Sequence, residues 1–73
     1  MASGRVAVLG EWALVRGFAL AGVATLAAED PESVRAAWRD LDGDVAVVIL
    51  TPAAADALGD SRGTEPLTVV MPS

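Results

Sequence analysis

Few side chains in this sequence could do chemistry, and most of them are carboxylates. The 73 residues include ten Asp and Glu, but neither Cys nor His. Thiolate nucleophiles, zinc fingers and imidazole acid–base catalysis each need one of those absent residue types. A metal ion could bind only through carboxylate oxygens. The composition therefore favours a protein that is not an enzyme and has no metal or cofactor site of its own.

Three kinds of phosphate-dependent site are common in α/β proteins, and each needs particular residues after particular strands. The first predicted strand is the apolar run at residues 5–9. A phosphate-binding loop needs closely spaced glycines and a lysine, and GEWALVRG has neither. A dinucleotide-binding loop needs GxGxxG, but Gly10 is followed by Glu11 and Trp12. A phosphoacceptor receiver needs an aspartate after its third strand and a lysine near its last. Here Thr51 follows the third apolar run and no lysine occurs.

Net charge and hydropathy exclude two further classes of partner. The formal charge of −5 repels a phosphate backbone, so we expect no nucleic-acid binding. The uncharged stretch at residues 17–28 is shorter than the roughly 18 apolar residues that span a bilayer, so direct membrane insertion is not expected. Glu11 and Arg16 interrupt the segment that could resemble a signal peptide. The expected location is the cytoplasm.

Apolar runs and capping residues predict alternating strands and helices in one small α/β domain over residues 1–73. The predicted strands cover residues 5–9, 23–28, 45–50 and 67–71. The predicted helices run from residue 13 to about 22, from Asp30 to about residue 42, and from Thr51 to about Leu58, before a turn-rich segment at 59–65. Asp30 and Thr51 each precede a proline, the arrangement typical of a helix N-terminus.

The first predicted helix has its apolar residues Leu14, Phe18 and Ala21 on one stripe, which we expect to pack on the sheet. Gly17 lies inside that helix, where it costs about 1 kcal/mol relative to alanine, so we expect it to allow a close approach to a strand. Gly22 is expected to end the helix.

The second predicted helix has an apolar stripe that includes Trp38, so a core position is favoured over a binding role for this indole. Its remaining members are Val34, Ala37 and Leu41. We expect Glu32 and Arg35 to form a surface ion pair and Gly43 to adopt a left-handed conformation after the helix.

The alternation predicts a parallel sheet with right-handed crossovers and strand order 2-1-3-4, a flavodoxin-like or receiver-like topology. The first helix would cover one face of the sheet and the other two helices the opposite face. A final helix that usually returns to the first face is not expected here. The third and fourth strands are apolar on that face, so we expect a neighbouring molecule to cover it.

The segments VAVLG, RGFALAGV, DPESV, VAVVILT and PLTVVMPS together resemble the F subunit of the vacuolar and archaeal-type (V/A-type) rotary ATPases. The signature part is GF-x-LAG-V, which is matched by Gly17, Phe18, Leu20, Ala21, Gly22 and Val23. The resemblance implies a small subunit without catalytic residues that binds the central stalk, contacts its coiled-coil subunit and supports coupling or regulation of ATP turnover catalysed elsewhere.

The sequence departs from the family in three places. In the loop before the GF pair, family members usually carry polar or acidic residues and a threonine, whereas residues 11–15 of this chain are Glu-Trp-Ala-Leu-Val. The third predicted helix is short. The family's C-terminal helical segment is not expected, so stalk docking is implied more directly than regulation through that tail.

The expected partner interface comprises exposed candidates near the strand ends and on the last strand: Trp12, Leu67, Val69, Val70 and Met71. For Trp12, partner contact and simple loop packing both remain open. For Glu11, a hydrogen bond to a partner and a solvated loop carboxylate are the alternatives. A second interpretation of the whole chain is an α/β regulatory module that forms a homodimer through its uncovered face or its edge strand.

Overall fold

The computed structural model describes residues 4–63 and 66–72, and its centre is a four-stranded parallel sheet of order β2-β1-β3-β4. The strands are β1 (Arg5–Gly10), β2 (Ala24–Ala27), β3 (Val45–Leu50) and β4 (Leu67–Val70). The helices are α1 (Trp12–Ala19), α2 (Pro31–Arg39) and α3 (Pro52–Leu58), and a 3-10 turn, Gly59–Arg62, follows α3. The predicted fold class and strand order are confirmed. Positions 64 and 65 of the predicted turn, and Ser73 after the last strand, lie outside the described residues.

Capping side chains set the starts of α2 and α3 as predicted. The Asp30 carboxylate accepts a hydrogen bond from the Ser33 backbone N–H at 2.7 Å. Thr51 Oγ1 accepts one from the Ala54 backbone N–H at 3.3 Å. The left-handed conformation predicted for Gly43 is wrong, because Gly43 does not have a positive φ. Helix α2 ends before it, where the Asp40 backbone N–H donates to the Ala36 carbonyl.

The main core lies between one face of the sheet and helices α2 and α3. Its fully buried members are supplied by β1, β3, the loop after β2 and both helices: Leu9, Ala28, Val34, Val48, Leu50, Ala54 and Leu58. Trp38 packs against this cluster, which agrees with its predicted core position. The ion pair predicted between Glu32 and Arg35 does not form. Instead the Arg35 guanidinium donates to the Ala57 carbonyl of α3 at 3.5 Å.

Helix α1 packs on β1 and β2 from the opposite side of the sheet. Val15 is its fully buried residue and Phe18 is half-buried, whereas Leu14 is exposed. The prediction that Leu14 and Ala21 face the sheet is therefore wrong. The helix is rotated so that Val15 points inward, and it ends at Ala19, which leaves Ala21 in the following turn.

The glycines near α1 divide into one that matches its predicted role and one that does not. Gly22 has φ +78° in the turn after the helix, as expected for a residue that ends it. A Cβ added at Gly17 would have no atom within 4 Å, so the predicted close approach to a strand is wrong.

Candidate docking surface

One half of the sheet carries apolar side chains on the α1 side. Residues that are partners in a parallel ladder point to the same side, and Val47 lies beside Val6 and Leu67 while Ile49 lies beside Val69. Ile49 also lies beside Val8, whose side chain points to the side that α1 covers. We call the resulting surface the open face: Val6, Val47, Ile49, Leu67 and Val69.

The open face is exposed because α1 packs on β1 and β2, which are the other half of the sheet. Leu67 is 66% exposed and Val69 54% exposed, while Val47 and Ile49 are half-buried. Within the described ranges, no helix has more than slight contact with β3 or β4 from the α1 side. A contiguous apolar patch of this kind is typical of a protein–protein interaction surface.

Four of the five predicted interface residues lie in or just after β4, but they do not share one surface. Leu67 and Val69 belong to the open face. Val70 lies beside Leu50 and therefore points toward the α2–α3 side. Met71 is half-buried after the strand, where its backbone N–H donates to the Leu50 carbonyl at 2.8 Å.

The fifth predicted interface residue, Trp12, lies at the edge of the sheet where β1 ends. It is the first residue of α1 and is 51% exposed. Its backbone N–H donates to a carboxylate oxygen of Glu29 at 3.0 Å, so the helix start is tied to the loop after β2. The backbone of Trp12 is therefore fixed by a hydrogen bond, and its side chain lies at the edge of the sheet rather than on the open face.

Glu11, beside Trp12, has a partner within the chain. Its carboxylate accepts a hydrogen bond from the hydroxyl of Thr51, which is completely buried and also caps α3. Neither sequence-based alternative for Glu11, a partner contact or a solvated carboxylate, describes this role. The spacing of 40 residues between the two side chains left no local signal for it.

Gly10 packs directly against Thr51 at the same strand edge. A Cβ added to Gly10 would lie 2.8 Å from Thr51 Cβ and still nearer to the two atoms beyond it. This is the close approach that the sequence suggested for Gly17 and that the fold places at Gly10 instead. The ends of β1 and β3 are thus joined by the Thr51 hydroxyl, which donates to Glu11, and by the Thr51 backbone N–H, which donates to the Leu9 carbonyl at 3.2 Å.

The acidic residues Glu11, Glu29 and Asp30 at this edge each accept a hydrogen bond from a nearby group of the chain. The hydrogen bond from the Ser33 backbone N–H, with a smaller contribution from its side chain, lowers the pKa of Asp30. A cavity of about 70 Å³ borders Glu11, Glu29 and Asp30. Across residues 4–63 and 66–72, no three acidic side chains are arranged to hold a metal ion.

Sequence reasoning missed three residues of the open face: Val6, Val47 and Ile49. Val47 and Ile49 alternate along β3 with the core residues Val48 and Leu50. The run VAVVIL has no polar residue, so its alternation could not show which side is covered.

Comparison with protein-family models decides the family of this chain. The model described as ATP synthase (F/14-kDa) subunit matches residues 6–72. The chain belongs to this family. The resemblance to the F subunit of V/A-type ATPases is thereby confirmed, and with it a role as a subunit of a rotary ATPase, an assembly of several protein chains.

Solved structures support the same family. The crystal structure of the F subunit of the V-type ATP synthase from Archaeoglobus fulgidus is similar to this chain, with 27% sequence identity and a TM-score of 0.69. The alignment covers 96% of this chain and 99% of the archaeal one. Comparison with curated protein sequences found no match. In the described part of the chain, every helix is too short or too polar to cross a bilayer.

Proposed function

We propose that this chain is a non-catalytic subunit on the central stalk of a V/A-type rotary ATPase. In this role it docks on the coiled-coil stalk subunit through its open face and supports coupling or regulation of ATP turnover catalysed by other subunits. The observation that carries the proposal is the family match over residues 6–72 in a chain with an exposed apolar sheet face.

The dimensions of the open face favour a helix as its occupant. Neighbouring strands lie about 4.8 Å apart, so the half-sheet formed by β3, β4 and the near side of β1 is about as wide as one helix, roughly 10 Å. An occupant helix would lie beside α1 in the same layer, where α/β proteins place a covering helix. A coiled-coil partner presents helices of this kind, although its own seam occupies part of their apolar surface.

The charged residues support a docking role rather than catalysis. Glu11 and Glu29 accept hydrogen bonds from Thr51 and Trp12, so these carboxylates already stabilise the strand edge. The chain is proposed to lie on the cytoplasmic side, peripheral to the membrane part of the ATPase.

The edge of the sheet favours a second candidate, in which two copies of the chain associate. Strand β4 pairs with β3 alone among the described strands, so its outer edge has unpaired backbone groups. Its residues are Leu-Thr-Val-Val, and none of them is a charge or proline of the kind that discourages edge pairing. In this case the chain would be a regulatory module that acts as a homodimer.

The substitution Val69→Asp tests the proposed docking surface. We expect it to weaken binding to the purified coiled-coil stalk subunit at least about tenfold, since a carboxylate would be buried without a partner. Ser61→Asp adds the same charge at an exposed site on the 3-10 turn and should bind normally. Val70→Asp changes the neighbouring valine, which points the other way, and shows how far the interface extends around β4.

Isothermal titration calorimetry of the three variants, each checked by circular dichroism, gives the decisive comparison. Unchanged affinity of a folded Val69→Asp variant would rule out the open face as the stalk contact. Sedimentation of the unmodified chain separates the two candidates. The homodimer would be favoured if the chain is a dimer at micromolar concentration, if Val69→Asp makes it a monomer, and if the chain does not bind the stalk subunit.

A further inference from the structure

Helix α1 has a second apolar surface, which points away from the sheet. Successive helical residues are 100° apart, so Ala13 and Gly17 lie opposite the sheet-facing Val15 and Phe18. Leu20, the residue directly after α1, keeps a helical backbone conformation and therefore lies on that same outward side. Leu20 is 94% exposed and Leu14, at the margin, is 52% exposed. We call this the outer surface of α1: Ala13, Leu14, Arg16, Gly17 and Leu20.

The composition of α1 is unusual for a helix that covers one side of a small sheet. Such helices have a polar outer face, whereas a helix that is apolar all round is normally buried on all sides. The outer surface of α1 has a single charged residue, Arg16. The packing inside this chain therefore accounts for Val15 and Phe18 but not for the exposed leucines or Gly17.

We propose that the outer surface of α1 binds an α-helix of another protein, which presents an acidic side chain to Arg16. A helix fits because Ala13 and Gly17 are one helical turn apart and have almost no side chain, which leaves room between Leu14 and Leu20 for a ridge of another helix. A strand does not fit, because the backbone groups inside α1 are already paired within the helix and cannot extend a sheet.

The charge of Arg16 indicates which kind of helix would bind to the outer surface of α1. Arg16 is the single charged residue between Trp12 and Ala28, and it makes no ion pair with any residue in the described ranges. A carboxylate on the partner helix would complement the positive charge of Arg16. The same charge would disfavour partners that present a basic side chain at this position. A two-fold contact between two copies through α1 would instead bring two Arg16 side chains together.

Area also argues against a second copy at this surface. Helix α1 has eight residues and is about 12 Å long, so two such helices bury far less than the roughly 800 Å² per partner of a stable interface. A longer helix of a different subunit can contact α1 and neighbouring parts of the molecule together. The outer surface is thus a second contact, separate from the open face.

The test rests on the proposed function, because it uses the rotary ATPase of the source organism, prepared without this subunit and then reconstituted. The chain has no cysteine, so Leu20→Cys, Val69→Cys and Ser61→Cys each introduce one reporter, on the outer surface, the open face and a control site. Reaction rates with a maleimide are measured in the isolated chain and in the assembly.

We expect assembly to slow labelling of Leu20→Cys at least about tenfold and to leave Ser61→Cys unchanged. We also expect Leu20→Asp to weaken incorporation at least about tenfold, and Arg16→Glu several-fold with recovery in Arg16→Lys. If Leu20→Cys folds but does not assemble, Ala13→Cys reports on the same surface, and joint loss of assembly in both supports the contact.

Equal labelling of Leu20→Cys in the isolated chain and in the assembly would overturn this inference. If Val69→Cys is protected in that same preparation, the proposed function stands without it. If Val69→Cys is labelled freely while Leu20→Cys is protected, the open-face contact fails and the α1 contact stands. Protection of Leu20→Cys in the isolated chain that disappears on dilution would identify a second copy and overturn the proposed occupant.

Discussion

The two sides of strand β3 show how one apolar sequence serves two purposes. Val48 and Leu50 are fully buried under α2 and α3, whereas Val47 and Ile49, on the other side of the same strand, are half-buried on the open face. Both sets are aliphatic, so hydrophobicity does not distinguish them. The difference comes from which helices the chain places on each side, and it separates residues that stabilise the fold from residues available to a partner.

The largest effect should come from truncating the same side chain on the two sides of the sheet. Leu50→Ala removes a fully buried side chain and is expected to lower the free energy of unfolding by about 3 kcal/mol. Leu67→Ala, on the open face, should change it by less than about 0.5 kcal/mol. Urea denaturation of both variants measures the contrast, and similar losses would mean that the open face is packed in solution.

A matched pair of glycine substitutions should act in opposite directions. Gly10→Ala forces a Cβ against the buried Thr51 and is expected to cost about 2 to 3 kcal/mol through overpacking. Gly17→Ala places a Cβ in open space inside α1 and should gain about 1 kcal/mol of helix propensity. Thermal unfolding of the isolated chain gives both signs; a destabilised Gly17→Ala would reveal a contact at this position.

Loss of the Thr51 hydroxyl should have a moderate effect. Thr51→Val keeps the shape but removes the cap of α3 and the donor to Glu11, which is expected to cost about 1 to 2 kcal/mol. Thr51→Ser should retain most of the stability. Thr68→Val, the same change on β4, should shift the free energy of unfolding by less than about 0.5 kcal/mol. If Thr51→Val and Thr68→Val change the free energy of unfolding equally, the hydrogen bonds of the Thr51 hydroxyl do not contribute to stability.

The smallest effect should be on the pH dependence of the free energy of unfolding, through the residue that caps α2 on the packed side of the sheet. The pKa of Asp30 is lowered in the folded chain, so its carboxylate stabilises the fold above the ordinary aspartate pKa of about 3.9. This contribution is lost as the pH falls through the lowered pKa. Asp30→Asn should flatten the acid limb of a stability profile, with Asp56→Asn as the exposed control on α3; identical limbs would contradict the cap.

Local signals in the sequence predicted much of this fold. The strands were placed within one or two residues, and the Asp30-Pro31 and Thr51-Pro52 pairs marked the two helix starts correctly. These features depend on neighbouring residues, through capping and backbone propensity. The predicted strand order 2-1-3-4 rested on the doubly wound arrangement of alternating strands and helices, which is a general rule rather than a property of particular residues.

Two errors in the sequence-based predictions concern packing between parts of the chain that are distant in sequence. Leu14 was placed on the sheet, but the rotation of α1 buries Val15 instead. The close approach expected at Gly17 occurs at Gly10, because Thr51 follows β3 and lies beside Gly10 at the end of β1. No local pattern contains this information, since it depends on how helices and strands pack once the sheet has formed.

The amino-acid sequence by itself determined the order of strands and helices and the caps that start α2 and α3, because these follow from short-range patterns. It also determined the family of the chain, whose model matches residues 6–72. Only the tertiary structure decided that Val69 belongs to the open face while Val70 points away, and that Glu11 bonds to Thr51. The physical reason is that Val69 and Val70 are chemically identical, so the sequence cannot distinguish them. Whether each valine is exposed depends on which helix or strand packs against its side of the sheet.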